Sequence, residues 1–205
     1  MLRQTSLAAQ GSSYQASKKL VNAVGLLSSG CAATHIGRGL VVTAGHCVVP
    51  DSFGATLPER TCGAVRVYWG YHDGRDAYLQ SRCKKVLRSV TDEWRDYALL
   101  LVEPAPRAQA QIEWGPLPDG AQIGLLEHRK GRPLALSGLY TAREESVVKS
   151  GPPRLAYDCS SEKGSSGSPI IDVRTGTVVG IHDGRTQAAC YGTWLGDTGL
   201  QSFLR

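Results

Sequence analysis

Short apolar runs, each stopped within a few residues by a turn former or a polar side chain, decide what this chain can fold into. Gly39-Leu40-Val41-Val42 stops at Thr43, Ala98-Leu99-Leu100-Leu101-Val102 stops at Glu103, and Pro169-Ile170-Ile171 stops at Asp172. Runs of this length suit buried strands and are short for the helices of a bundle. With 24 glycines and 10 prolines to break them, they predict an all-β barrel or sandwich. A chain of 205 residues can build one large domain or a two-lobed unit with a good core. Strands are expected at Val21–Leu27 and near 39–44, 64–69, 96–102 and 121–126. Others are expected near 134–140, 168–173, 177–182 and 191–195, with a hairpin over Gly30–Gly37. Glu103 to Pro118 carries four prolines and suits a crossover between lobes. Leu200, Phe203 and Leu204 stand at helical spacing in the tail, and residues 1–18 read as a flexible arm.

Three of the apolar runs adjoin residues with chemistry. Gly164-Ser165-Ser166-Gly167-Ser168-Pro169 leads into Ile170-Ile171. A glycine two positions before a serine lets the backbone turn tightly enough to aim N–H groups at one point. A serine hydroxyl is a poor nucleophile until a base takes its proton, so Ser166 predicts a histidine elsewhere. Thr43-Ala44-Gly45-His46-Cys47 closes one apolar run and Asp96 opens another. An imidazole can accept and return a proton near neutrality, and a carboxylate can orient it and stabilise its charged form. Ser165 and Ser168 are rival hydroxyls, but the Gly-x-Ser-Gly frame favours Ser166. Asp92 is a rival carboxylate, but only Asp96 adjoins the apolar run. His35, His72, His128 and His182 lack the context of His46. Because Ser168 stands where a glycine would be, the motif is not the Gly-x-Ser-x-Gly elbow of α/β-hydrolases.

The order His46, Asp96, Ser166, carried by TAGHC at 43–47, DYALL at 96–100 and GSSGSP at 164–169, resembles that of the chymotrypsin-fold, trypsin-like serine peptidases. The resemblance runs from about Val21 to the C-terminus. It implies two six-stranded antiparallel β-barrels with a short C-terminal helix, in a lobe at 19–105 and a lobe at 106–205 that together make one peptidase domain. It also implies peptide-bond hydrolysis through an acyl-enzyme, with the N–H groups of Gly164 and Ser166 binding the oxyanion. For the cysteines it implies Cys31–Cys47 and Cys159–Cys190, which leaves Cys62 with Cys83.

Two departures from the animal members stand out. Ser165 occupies the place of the aspartate that binds the freed N-terminus there, and no Ile-Val-Gly-Gly start is seen, so that zymogen switch is not expected. Ser160 occupies the bottom of the substrate pocket in place of an acidic residue, so preference for Lys or Arg is not expected. Val179-Gly180-Ile181-His182 resembles the segment with which bacterial glutamyl endopeptidases, and related viral proteases, hold a Glu or Gln side chain. By that resemblance His182 joins the pocket, with Ser160, Ser161 and Arg185 as further substrate-binding residues. Asp183 could neutralise Arg185, and the histidine could equally belong to the core.

Composition excludes other classes. The net charge of +5 is spread along the chain with no basic block, which argues against nucleic-acid binding. No apolar run approaches the roughly 20 residues of a membrane helix. Six cysteines, an even number, point to an oxidising compartment, so a secreted or periplasmic site is expected although Met1–Ser6 lacks a signal-peptide core. No C-x-x-C or C-x-x-H pairing suggests zinc. A monomer acting on polypeptide, with no metal or organic cofactor, is the expectation. The alternatives left open are a catalytically silent peptide-binding relative, a protease with another pocket preference, an intracellular protease with reduced thiols, and an esterase.

Overall fold

The computed structural model describes residues 18–49, 54–72, 75–145, 154–159 and 162–205; the expected arm at 1–18 lies outside them except for its last residue. The first barrel uses β1 (Val24–Leu27), β2 (Ala32–Gly37), β3 (Leu40–Thr43), β6 (Arg66–Trp69), β7 (Leu79–Thr91) and β8 (Asp96–Glu103). They close in the order β7-β6-β1-β2-β3-β8, with β8 pairing back onto β7. The short β4 (Ala55–Leu57) and β5 (Arg60–Thr61) pair with β7 outside that ring. The second barrel uses β9 (Gln122–Glu127), β10 (Ala135–Glu145), β11 (Arg154–Tyr157), β12 (Pro169–Asp172), β13 (Val178–Arg185) and β14 (Cys190–Trp194). Its order is β10-β11-β14-β13-β12-β9, and it too is closed and antiparallel.

The continuous apolar runs of β3 and β8 follow from burial on both faces. Val41, Ala98, Leu100 and Val102 pack with Leu27, Val67 and Trp69 in the interior of the first barrel. Their neighbours Leu40, Val42, Tyr97 and Leu99 face the other way, into a second cluster with Ile171, Ile181 and Leu195 from the second barrel. Alternate residues of one strand thus fill two different cores. A third cluster, with Ile123, Leu125, Leu155, Tyr157 and Val179, fills the second barrel. Residues 104–121 pass between the barrels and are tied to both. The Ala110 N–H donates to His35 O at 2.8 Å, and the Val178 N–H donates to Gln111 O at 2.8 Å.

Several expectations are corrected in detail. The strand expected at Val21–Leu27 begins only at Val24, because residues 18–23 are helical; Leu20, Ala23 and Val24, at helical spacing, enter the inter-barrel core. The hairpin expected over Gly30–Gly37 is instead one strand, β2, paired with β1 and β3 and buried throughout because Ala32 and Ile36 face the inter-barrel core while Ala33 faces the first barrel. The thirteen-residue β7 has no counterpart among the expected strands. Two register shifts, at Cys83/Lys85 and Val86/Arg88, put its alternation out of step. The tail forms a 3-10 helix, Leu200–Leu204, which buries Leu200 and leaves Phe203 exposed. All three expected disulfides are present: Cys31–Cys47, Cys62–Cys83 and Cys159–Cys190.

Candidate active site

At the end of β3 the chain turns through a 3-10 segment, Gly45–Cys47, which brings His46 to the start of β8. Asp96 holds the histidine twice. Its Oδ1 accepts the His46 backbone N–H at 2.9 Å, and its Oδ2 accepts a short hydrogen bond from Nδ1. With its proton on Nδ1, the neutral ring presents a lone pair at Nε2. The hydrogen bond to Asp96 raises the His46 pKa above its ordinary value; burial opposes this, and the charges of Asp96 and Asp183 add to it. Asp96 is itself anchored across the barrels, its N–H donating to Thr193 Oγ1 at 2.8 Å. The rival Asp92 serves a turn instead: its carboxylate takes the N–H groups of Trp94 and Arg95 and pairs with the Arg95 guanidinium at 2.9 Å.

A chain of contacts links the serine loop to this histidine. Ala32 at the start of β2 donates its N–H to Ser166 O at 2.8 Å, and Ala32 O accepts the Thr43 hydroxyl at 2.7 Å. Cys31, one residue before Ala32, is bonded to Cys47, one residue after His46. Gly167 has φ +79°, and a Cβ there would meet Ala32 O and lie 2.5 Å from Thr43 Oγ1. Only glycine lets the loop lie this close. Among the three serines, Ser165 and Ser168 are buried, whereas Ser166 is partly exposed. The N–H groups of Ser165, Gly167 and Ser168 are hydrogen-bonded within the fold, while those of Gly164 and Ser166 meet no acceptor among the described residues. The Ser166 hydroxyl makes no hydrogen bond to His46 among the described residues, where the His46 ring contacts are Asp96 and the Cys47 sulfur.

Of the expected pocket residues, Ser160 and Ser161 lie outside the described residues. His182, on β13, is buried; its Nδ1 lies 2.6 Å from the Tyr157 hydroxyl, and burial lowers its pKa to about 4. Its backbone straddles the serine loop, donating to Ser168 O and accepting from the Gly167 N–H, both at 2.8 Å. Arg185 is exposed at the end of β13. The expectation that Asp183 could neutralise it is corrected: the buried Asp183 pairs with Arg154 at 3.1 Å and accepts the Thr193 hydroxyl at 3.1 Å. Burial raises the Asp183 pKa to about 6. Tyr157, Arg154 and Thr193 were not singled out in the sequence, because each acts through a partner on another strand. Cys31, His46 and Cys47 lie close enough to suggest a metal site. The two sulfurs are bonded to each other and offer no thiolate, so the group does not fit an ion.

Residues 29–181 match the trypsin-like peptidase domain. Among curated proteins no sequence matches. Solved structures that resemble the chain include the Rv3671c protease from M. tuberculosis in its active form, with 19% identity, a TM-score of 0.65, and 100% of this chain and 91% of that chain covered. The thermostable serine protease AL20 from an extremophilic microorganism has 18% identity and a TM-score of 0.70, over 89% of this chain and 95% of that one. The HtrA-type protease AlgW with tripeptide has 14% identity and a TM-score of 0.68, over 95% of this chain and 64% of that one. At these identities the likeness is one of fold.

Proposed function

The chain belongs to the trypsin-like peptidase domain family, and from that premise we propose that it is a serine endopeptidase working through Ser166, His46 and Asp96. The observation that carries this reading is the double hydrogen bond from His46 to Asp96, which fixes the proton on Nδ1 and leaves Nε2 as a base. In the proposed reaction Ser166 Oγ attacks the scissile carbonyl carbon while His46 Nε2 takes its proton. The oxyanion is held by the N–H groups of Gly164 and Ser166, an arrangement in which one donor is worth about 3 kcal/mol. His46 then protonates the leaving amine, and water releases the acyl group by the reverse relay. Asp96 keeps the imidazole in its tautomer and stabilises its charged form. Extended polypeptide is the proposed substrate, as in the AlgW structure with tripeptide. Three disulfides are consistent with action outside the cytoplasm.

For specificity we propose a side chain ending in a neutral amide, glutamine before glutamate. Burial keeps the Tyr157 hydroxyl protonated, its pKa raised well above 10. Donating that proton into His182 Nδ1 leaves the imidazole proton on Nε2. The substrate is then offered a neutral N–H donor, which suits a carbonyl oxygen and gives a carboxylate no counter-charge. Cleavage of paired peptide libraries differing only in Gln, Glu or Lys, read by mass spectrometry for the wild type beside Ser166→Ala and Tyr157→Phe, tests both statements. The expected result is cleavage after Gln at several times the rate after Glu. Ser166→Ala should be inactive, and Tyr157→Phe should lose about tenfold for Gln. Cleavage by Ser166→Ala would sink the mechanism; equal rates for Gln, Glu and Lys would sink the pocket.

A further inference from the structure

In the segment Glu127–Arg132, a buried carboxylate lies against the serine loop. Glu127, the last residue of β9, has a side chain with no exposed surface. Its Oε2 accepts a short hydrogen bond from the hydroxyl of Ser165, the residue before the proposed nucleophile. Its Oε1 accepts from Arg129 Nε at 3.1 Å and Nη2 at 3.0 Å. The Ser165 Oγ in turn accepts the Glu162 N–H at 3.1 Å. Two further ties run in parallel: the Lys130 N–H donates to Lys163 O at 2.7 Å, and Lys130 Nζ pairs with Glu162 at 3.2 Å. Gly164 is laid directly on this segment, with φ +94°, and a Cβ there would lie 2.5 Å from His128 O.

A carboxylate without solvent is costly unless its oxygens are satisfied, and here both are. One is spent on an arginine of its own segment and the other on the loop whose Gly164 and Ser166 N–H groups meet no acceptor among the described residues. By the resemblance drawn from the sequence, Ser165 stands where the animal members carry the aspartate that binds a freed N-terminus; here that position is tied to Glu127 instead.

We propose that Glu127 is a positioning residue for the oxyanion site: through the Ser165 hydroxyl it holds the Gly164–Ser166 peptides with their N–H groups convergent, without a cleaved N-terminus. This rests on the reading of Ser166 as nucleophile. The Glu127 side chain is buried, so in this proposal its effect is on the transition state through the loop, and kcat and ground-state binding should separate.

The test uses the full chain as wild type, Ser165→Ala and Glu127→Gln, with disulfides intact. Three readouts are compared: kcat and KM on a peptide amide, the affinity of a peptidyl trifluoromethyl ketone whose adduct places an oxyanion, and amide hydrogen exchange over residues 162–168. The expected result for Ser165→Ala is a 10- to 100-fold loss in kcat with KM within about twofold. Ketone affinity should fall by the same factor, and exchange in the loop should be faster. Glu127→Gln, which keeps the shape and one acceptor, should lie between Ser165→Ala and the wild type. If Glu127→Gln fails to fold, Ser165→Ala, which removes one oxygen, still decides. An active wild type with unchanged kcat and loop exchange in Ser165→Ala would overturn the proposal and leave the peptidase reading standing. A KM that rises as much as kcat falls would also overturn it. An inactive wild type would instead overturn the peptidase reading, and unchanged loop exchange in Ser165→Ala would still refute the strut on its own.

Discussion

At the residue scale the chemistry turns on which atom of His46 holds the proton. The Asp96 carboxylate accepts from Nδ1 and raises the histidine's pKa, against burial, with the charge of Asp183 adding to the rise. In the proposed reaction the base is the neutral ring, so activity should fall as pH drops through a value above 6.5 rather than below it. Asp96→Asn removes the largest cause of the rise. It should move that acidic limb downward and cost about 10⁴-fold in kcat, since an amide can leave the proton on the wrong nitrogen. The check is kcat/KM against pH for both proteins; a wild-type limb centred at or below 6.5 would contradict the assignment. Asp183 shows how a residue can be visible in the sequence while its role is not. Two positions from Arg185 it reads as that cation's partner, yet β13 shifts register between His182 and Gly184, and Arg154 on another strand takes the carboxylate.

At the element scale β8 positions the site, because one strand serves two cores. Leu100 points into the first barrel and Leu99 toward the second, both without exposed surface. Leu99→Ala should cost about 2 to 5 kcal/mol of unfolding free energy in urea, as for a buried leucine with little room to collapse; a loss under 1 kcal/mol would mean that the barrels do not pack there as described. Such strands were legible from sequence because burial on both faces leaves an unbroken apolar run, as in Leu40–Val42 and Ala98–Val102. By contrast β7 was not, because its polar positions and two bulges break any simple period. The motif residues His46, Asp96 and Ser166 could be read from their neighbours in the chain. Glu127 could not, because its partner Ser165 lies 38 residues away and the two meet through the pairing of β9 with β12 and the packing of the serine loop on residues 127–130.

At the scale of the whole molecule the proposed machinery is divided between two closed barrels. His46 and Asp96 lie on the first and Ser166 on the second. The halves are joined by the Ala32–Ser166 and Asp96–Thr193 hydrogen bonds and by the Tyr97 hydroxyl donating to Thr198 O at 3.0 Å. The Cys31–Cys47 bridge braces the histidine turn against the strand that meets the serine loop. A site of this kind is competent only when both barrels are folded and docked, and its serine should be distinct from every other serine in the chain. The direct measurement is reaction of the native protein with a fluorophosphonate, followed by peptide mapping in the wild type and in His46→Ala. A single adduct is expected on Ser166, forming in the wild type and lost or slowed at least a hundredfold in His46→Ala. An adduct on Ser165 or Ser168, or labelling of Ser166 that does not depend on His46, would contradict it.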